Sequence, residues 1–597
     1  MESSIAAGPI NRRSVKARTM AEAFRLTAED YADTVAVRTR DDSVSLTWAQ
    51  LRERVDALAG GLAKLGVRRG DTVALMFSNR PEFAIADLAV MTLGATPFSL
   101  YQTLSPEQIQ YVISDAGARV AIVEEAFLEP MTAARGLGLD SLETIVVLEG
   151  ARGDGTTGWD DVEGADPDFD VAAALQSIEP GDHLTLIYTS GTTGPPKGVQ
   201  LTHRNLLAAV DAIEKLIQFP ENAKVISWLP SAHIAERAAH HYLPIVYAMT
   251  VTCCPDPREV VQYLPAVKPT WFFAVPRIWE KLRAAMEGSV FAAGTPEREW
   301  LDAAKQKVEH EQAGEEVPPA VAAMAAEGEQ KFAEVRGFLG LDEAVSVNVG
   351  AAPTPRDVLV FFHAIGVPLA ELWGMSETCG EGTCNPPEKI RIGTVGPPAP
   401  GVEIKLAEDG EVLMRSAVVM AGYRNLPGKT AEAIDADGFL HTGDIGEFVE
   451  EGYLKIVDRK KELIISAAGK NMSPANIEAT LKSASPLIGQ MCVIGDGRPY
   501  NTALVVLDAD FAPAFAAKAG LEGRSLEELA SEDAVRAAVQ QGVDAGNAKL
   551  ARVEQVKKFT LVPGDWLPGG DELTPTMKLK RKPIGEKYAG AIEAMYA

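Results

Sequence analysis

Cysteine is scarce in this chain. Its 597 residues include five, Cys253, Cys254, Cys379, Cys384 and Cys492. The number is odd, no CxxC spacing occurs, and no His-rich segment lies beside them. A disulfide framework and a zinc site are therefore not expected, and reduced thiols in a cytoplasmic protein are. Long apolar runs are also missing. The nearest approach, 238–254, is broken by His240, His241 and Pro244, so it reads as a buried strand or tunnel wall rather than a membrane span. Segment 1–19 carries arginines without an apolar centre, which argues against a secretory signal. Positive charge is the third shortage. With 57 Lys+Arg against 83 Asp+Glu, the net charge is −26. Nucleic acid is thereby set aside as a partner, because a phosphate backbone needs clustered cations. Small anions are not set aside, since only the local field of a site acts on them.

What is present is globular. Hydrophobic residues make up 46% and charged residues 23%, as in folded globular proteins rather than disordered or collagen-like ones. At roughly 150 residues per unit, the length suggests about four domain-sized pieces. Leu51, Val55, Leu58, Leu62 and Leu65 recur at helical spacing behind a Thr47/Gln50 capping box. Short apolar runs at 72–77, 119–123 and 144–148 read as buried strands, with a helix-like stretch from Pro81 to Leu93 between the first two. Strands alternating with helices predict parallel βαβ units. The Gly/Asp-rich stretch 150–168 reads as a surface loop. From 287 to 343 the chain is rich in Ala, Glu and Lys around Pro318-Pro319, as for a helical insertion. After a strand-like 452–457 and the charged Arg459-Lys460-Lys461-Glu462, a new pattern begins, with a capping box at Ser525 and a stripe of Ala534, Val535, Ala538 and Val539. The expectation is an α/β fold with a large N-terminal domain, 1–458, and a small mobile C-terminal domain, 459–597.

The most informative stretch is Tyr188-Thr189-Ser190-Gly191-Thr192-Thr193-Gly194-Pro195-Pro196-Lys197-Gly198, which follows the mainly apolar run 184–187. Four aliphatic hydroxyls, three glycines and a lysine suit an anion: glycines let backbone N–H groups approach, hydroxyls donate, and Lys197 adds a mobile charge. It is not a Walker A loop, because Pro196 precedes the lysine and Gly198 follows it.

This loop resembles that of the AMP-forming acyl-adenylate superfamily, and further segments resemble that family's motifs in its order. They are Leu229-Pro230-Ser231-Ala232-His233-Ile234-Ala235-Glu236-Arg237 at the acyl site, Gly350-Ala351-Ala352-Pro353 beside adenine, Leu372-Trp373-Gly374-Met375-Ser376-Glu377-Thr378, the ribose turn His441-Thr442-Gly443-Asp444, the hinge Asp458-Arg459-Lys460-Lys461-Glu462, and Leu573-Thr574-Pro575-Thr576-Met577-Lys578. The Glu236-Arg237 pair, the 272–281 segment and the 458–478 segment resemble long-chain fatty-acid–CoA ligases.

The resemblance implies ATP-dependent activation of a long-chain fatty acid through acyl-AMP to acyl-CoA, with ATP, Mg²⁺ and CoA as cofactors. It implies catalytic roles for Lys578, Glu377 and His233, and metal ligation by Glu377 with Thr193. Nucleotide contacts would come from Thr189, Ser190, Gly191, Thr192, Thr193, Gly194 and Lys197, from Gly350, Ala351, Ala352 and Pro353, and from Trp373, Gly374, Ser376, Asp444 and Arg459, with Lys461 as pivot. Trp373 stands where relatives usually carry Tyr, and Met577 where many carry Gly. Trp228, Ile234, Tyr242, Phe272 and Phe273 would wall an acyl tunnel. A fatty substrate that partitions into bilayers brings peripheral membrane contact into view, although no amphipathic basic anchor stands out. Plainer readings remain for single residues: His233 and Trp373 as core side chains, Glu377 as a helix-start acid, Asp444 as a turn residue, Lys461 as a linker and Lys578 as part of a solvated basic strip. Alternative functions are an acyl-AMP ligase serving a carrier protein and a non-catalytic acyl or nucleotide binder. The Asp140-Ser141-Leu142 triplet spells a carrier attachment site, but it reads as a loop and strand start.

Overall fold

The computed structural model describes residues 12–139, 141–150, 155–189, 195–449, 452–465 and 471–597. Early in the chain, helix α1 (Trp48–Lys64) buries Leu51, Val55, Leu58 and Leu62, and both bonds of the Thr47/Gln50 capping box form. It packs on helix α2 (Pro81–Thr92). Strands β1 (Thr72–Met76), β2 (Thr96–Ser99), β3 (Val120–Glu124), β4 (Thr144–Leu148) and β5 (Thr156–Gly158) form one parallel sheet in the order β2-β1-β3-β4-β5. The runs TVALM and TIVVL are almost wholly buried, as a parallel sheet covered on both faces requires.

Next comes the antiparallel hairpin β6 (His183–Thr189) and β7 (Lys197–Thr202), with Thr189 opposite Lys197. Helix α3 (His203–Leu216) follows, capped by Thr202. A further sheet joins β8 (Trp271–Ala274), β9 (Ser346–Val349) and β10 (Leu369–Trp373) in parallel, with β11 (Thr383–Cys384) antiparallel to β10. Between β8 and β9 run helices Pro296–Ala313, Pro319–Glu327 and Glu329–Leu339, the second starting at the proline pair. Strands β12 (Glu403–Leu406), β13 (Glu411–Arg415), β15 (Leu440–Phe448) and β16 (Leu454–Arg459) make an antiparallel sheet, and the short β14 (Gly422–Tyr423) pairs with β7. One hydrophobic cluster runs from Met20 to Leu454. A separate one, from Ile464 to Leu561, is built on β17 (Ile488–Ile494), β18 (Asn501–Leu507) and β19 (Val556–Leu561) with helices Pro474–Ser483 and Asp533–Asn547. The fold is thus mixed α/β, with a large N-terminal and a smaller C-terminal domain.

Three local expectations are corrected. Segment 150–168 is not simply a surface loop, because β5 closes the parallel sheet and Trp159 in the next turn is 2% exposed. The 238–254 stretch is mainly helical, including a π-helical Arg237–Tyr242 and then Leu243–Tyr247, before a strand at Thr250–Cys253. Behind Ser525 the capping box forms, but its helix stops at Leu529, and Val535 and Val539 belong to the separate Asp533–Asn547 helix. Around the carrier-like triplet, Leu139 and Leu142 are buried ahead of β4, and Asp140 lies outside the described residues.

Candidate active site

Sheet edges bring the candidate residues to one cleft. Lys197 opens β7, and β14 pairs with that strand, Tyr423 opposite Val199. The Lys197 ammonium therefore sits over the Tyr423 ring, 4.0 Å from its centre, a cation–π contact. Burial lowers the Lys197 pKa, Glu377 opposes that, and Lys461 and Lys429 add to it. The Tyr423 hydroxyl donates to Glu377 Oε1 at 2.7 Å, and burial, then Glu377, pushes the Tyr423 pKa up. Glu377 is 7% exposed in a single 3₁₀ turn after β10. Gly374 makes that turn feasible, since a Cβ there would stand 2.2 Å from the Gly380 carbonyl oxygen.

A second group forms on β15 and β16. Asp444 lies opposite Arg459 in the ladder, and Arg459 Nε meets Asp444 Oδ1 at 2.7 Å. The Trp373 indole N–H donates to Asp444 Oδ2 at 2.8 Å. The Asp444 N–H donates to Thr442 Oγ1 at 3.1 Å, and Arg459 also donates to the Thr442 carbonyl at 3.2 Å. Burial raises the Asp444 pKa, while Arg459, Trp373 and Lys578 hold it down. Both oxygens of this carboxylate thus face donors, the arrangement a diol would meet.

Lys578 sits on a turn closed by its own N–H donating to Thr574 Oγ1 at 3.0 Å. The residue is exposed as a whole, yet its ammonium lies within the field of the cleft. Burial and then Arg459 lower its pKa, whereas Asp444, Glu377 and Glu462 raise it. His233 lies within the same reach: burial brings its pKa down to about 4, and Lys578 contributes. Its Nδ1 accepts from the Ala235 N–H at 3.2 Å. A neutral ring so engaged is a poor general base and a serviceable wall.

Lys197, Glu377, Trp373, Asp444, Arg459, Lys578 and His233 are therefore gathered. Lys461 stands in the turn after β16 and acts on Lys197 only through its charge. Gly350 backs onto Leu372, where a Cβ would lie 3.0 Å from Cδ1, and Ala351 takes a left-handed φ of 68°. Ala352 and Pro353 are exposed beside it, and Ser376 lies half-buried in the turn of Glu377. Thr189 touches the Lys197 carbonyl at 3.4 Å. Ser190, Gly191, Thr192, Thr193 and Gly194 lie outside the described residues.

Two features escaped the sequence reading. Tyr423 is one, and its only sequence signal is the aromatic after Gly422. The other is a buried charge network behind the acyl motif. Arg237, fully buried, meets Asp87 at 2.6 Å, Tyr242 at 2.8 Å and Ser99 at 3.0 Å. Asp87 also meets His241 Nε2 at 2.9 Å. Glu236 accepts from Ser227 at 2.6 Å, Leu229 N–H at 3.0 Å and Asn79 at 3.2 Å, and contacts His240 Nδ1 at 2.6 Å. The signal was available: Asp87, Glu236 and Arg237 stand in apolar surroundings, where charges must pair. Tyr242 is thereby locked into this network rather than left open as a tunnel wall. Trp228 stacks on Phe272, 6.3 Å between ring centres, and both are buried.

The model of the AMP-binding enzyme family matches residues 24–424, and that of the AMP-binding enzyme C-terminal domain matches 461–597. The long-chain-fatty-acid–CoA ligase FadD15 of Mycobacterium tuberculosis is 34% identical over 92% of this chain and 92% of that protein. The fadD11 protein of the same species is 49% identical over 72% of this chain and 76% of its own length. The long-chain-fatty-acid–CoA ligase ACSBG2 of Xenopus laevis is 31% identical over 97% and 84%. Among solved structures, the anthranilate CoA ligase AuaEII with anthranoyl-AMP superposes at a TM-score of 0.74, with 20% identity over 96% of this chain and 98% of that one.

Proposed function

This chain belongs to the AMP-binding enzyme family, and on that footing we propose that it is a long-chain fatty-acid–CoA ligase. A fatty carboxylate attacks the α-phosphorus of ATP, the bond to pyrophosphate breaks, and acyl-AMP forms. The CoA thiol then attacks the acyl carbon and AMP departs. Relatives named as long-chain CoA ligases span nearly the whole chain, which does not favour a carrier-protein acceptor or a non-catalytic binder. The observation that carries the reading is the convergence of Lys578, Asp444, Arg459 and Glu377 on one cleft.

In the first step two anions must meet, so the chain's work is positioning and charge stabilisation. Lys578 is assigned to hold carboxylate and α-phosphate together, Asp444 with Arg459 to hold the ribose, and Lys197 to meet the phosphates. Trp373, fixed through its N–H to Asp444, is assigned a face of the adenine. Glu377 suits Mg²⁺: Oε1 takes the Tyr423 hydroxyl, and Oε2 accepts no hydrogen bond among the described residues. No group of three or more His, Cys, Asp or Glu able to hold a metal ion occurs among the described residues, so Glu377 and substrate phosphates would share the ion, as Mg²⁺ prefers. When bound, the ion would neutralise charge on the leaving phosphates. Thr193 keeps its proposed share in that ligation. His233 borders the acyl group, and Lys461 is the pivot on which the 459–597 unit swings away to admit CoA.

No described helix is long and apolar enough to cross a membrane. A cytoplasmic location with peripheral membrane contact fits a bilayer-partitioning substrate and is part of the proposal. The test is AMP and pyrophosphate release across fatty acids of graded length, with and without CoA. Long acids should give one equivalent of pyrophosphate without CoA and steady turnover with it. Failure to cleave ATP between its α- and β-phosphates with any acid would overturn the reading.

A further inference from the structure

Four residues beyond Glu377, in the segment joining β10 to β11, stands a second acid. Glu381 is 7% exposed, and neither carboxyl oxygen has a hydrogen-bond partner among the described residues. Buried polar atoms are almost always paired, and Glu236 nearby shows how fully this protein satisfies a buried carboxylate when structure alone requires it. Among the described residues no cation is paired with Glu381. Burial, and then Asp211, push its pKa well above the usual carboxylate range. That shift favours the protonated carboxyl, which has an O–H to donate and a carbonyl to accept. Thr383, two residues along and 1% exposed, carries a second buried hydroxyl without a partner.

The backbone here is held firmly. The Glu381 N–H donates to the Thr378 carbonyl at 3.0 Å. A Cβ on Gly382 would stand 2.6 Å from the Trp373 ring, and one on Gly380 would stand 3.8 Å from Ile234. The glycines on either side of Glu381 thus back onto Trp373 and onto Ile234 of the acyl motif. In its ionised form Glu381 would raise the pKa of Tyr247, Cys379 and Cys384, so its carboxyl lies within electrostatic reach of these three side chains. If the acyl tail passes Ile234 of the acyl motif, it passes the segment that carries this acid.

Resting on the ligase reading above, we propose that Glu381 is a specificity-determining residue and that it, with Thr383, binds an oxygen substituent, hydroxyl or keto, on the tail of the acyl substrate. A plain alkyl tail leaves two buried oxygens unpaired, whereas an oxygenated tail pairs them. Sites built this way reject analogues that lack the polar group far more strongly than apolar pockets reject an extra one.

The experiment measures kcat/KM for AMP formation with acids of one length that are unsubstituted, hydroxylated, keto or amino along the tail, together with butyrate, whose chain is short. Wild type should favour the hydroxy or keto acid by about tenfold or more. Glu381→Leu should reverse that order, chiefly through KM, and Glu381→Gln should retain most of it. Equal loss on every acid, butyrate included, would make Glu381 a packing residue and overturn the proposal. A preference for the amino acid would replace it with an ion pair. If Glu381→Leu does not fold, the wild-type ratio of hydroxylated to unsubstituted acid decides alone. Unsubstituted acids turned over without any preference would sink this inference and leave the ligase reading standing, whereas no AMP from any acid sinks both.

Discussion

Tyr423 joins two parts of the cleft through one side chain: its ring carries Lys197 and its hydroxyl holds Glu377. A hydrogen bond to a charged group contributes about 1.5–3 kcal/mol. Tyr423→Phe keeps the ring and loses the hydroxyl, so AMP formation should fall by about ten- to a hundredfold, with a raised Mg²⁺ requirement. An unchanged Mg²⁺ titration would detach Tyr423 from the metal. A second prediction at this scale concerns His203, which is 1% exposed and accepts from the Met20 N–H at 3.1 Å through Nδ1. Burial brings its pKa down to about 4, against about 6.5 when unfolded. Between those values the unfolded chain binds the extra proton, so stability rises with pH across that window and is lost as pH falls from about 6.5 to about 4. The loss is about 3 kcal/mol, at 1.36 kcal/mol per pKa unit. Urea unfolding at pH 7 and pH 4.5 should show a smaller drop for His203→Gln than for wild type.

Among the elements, those with a local code were legible. The Thr47 capping box, the TIVVL strand and the helix from Pro81 all stand where the pattern puts them. Segment 238–254 was not legible, because a stretch apolar all round has no periodicity to separate helix from strand. Nor was β5, whose Thr and Gly residues gain their strand from a neighbour already in place. The cleft was legible as motifs and not as contacts. Nothing local says that the Trp373 N–H ends on Asp444, because that bond joins β10 to β15 across 71 residues of chain. At the turn after β16, Lys460 binds Asp409 at 2.5 Å and Glu411 at 2.9 Å, which anchors one side of the proposed pivot. Proline at 461 would fix φ near −65° and freeze that turn. Lys461→Pro should leave pyrophosphate release largely intact and reduce thioester formation more than about tenfold. Equal loss of both half-reactions would count against a pivot there.

The two domains also meet away from the cleft, through charge. Arg277 pairs with Asp508 and Lys281 with Asp510. Asp357 takes Lys549 at 3.1 Å from the C-terminal side and Arg283 at 2.9 Å from its own. On the proposed mechanism these pairs favour the orientation in which Lys578 lies within the field of Asp444 and Glu377, the one suited to the first half-reaction, and would part for the second. Lys281–Asp510 and Lys549–Asp357 are exposed and Arg277–Asp508 is partly buried; exposed pairs contribute up to about 1 kcal/mol each and weaken as salt screens them. Three together can bias the domain equilibrium by about 1–2 kcal/mol, which is roughly five- to thirtyfold in population. Asp508→Asn with Asp510→Asn should therefore slow the pyrophosphate burst and speed transfer of preformed acyl-AMP to CoA. Raising ionic strength on wild type should move both rates the same way, and less so on the double variant, whose latch is already loosened. Rapid-quench measurement of the two half-reactions separates these effects. If salt slowed both alike, the charges would be acting on substrate encounter, and the contacts between Arg277, Lys281 and the C-terminal domain would have no part in timing the swing.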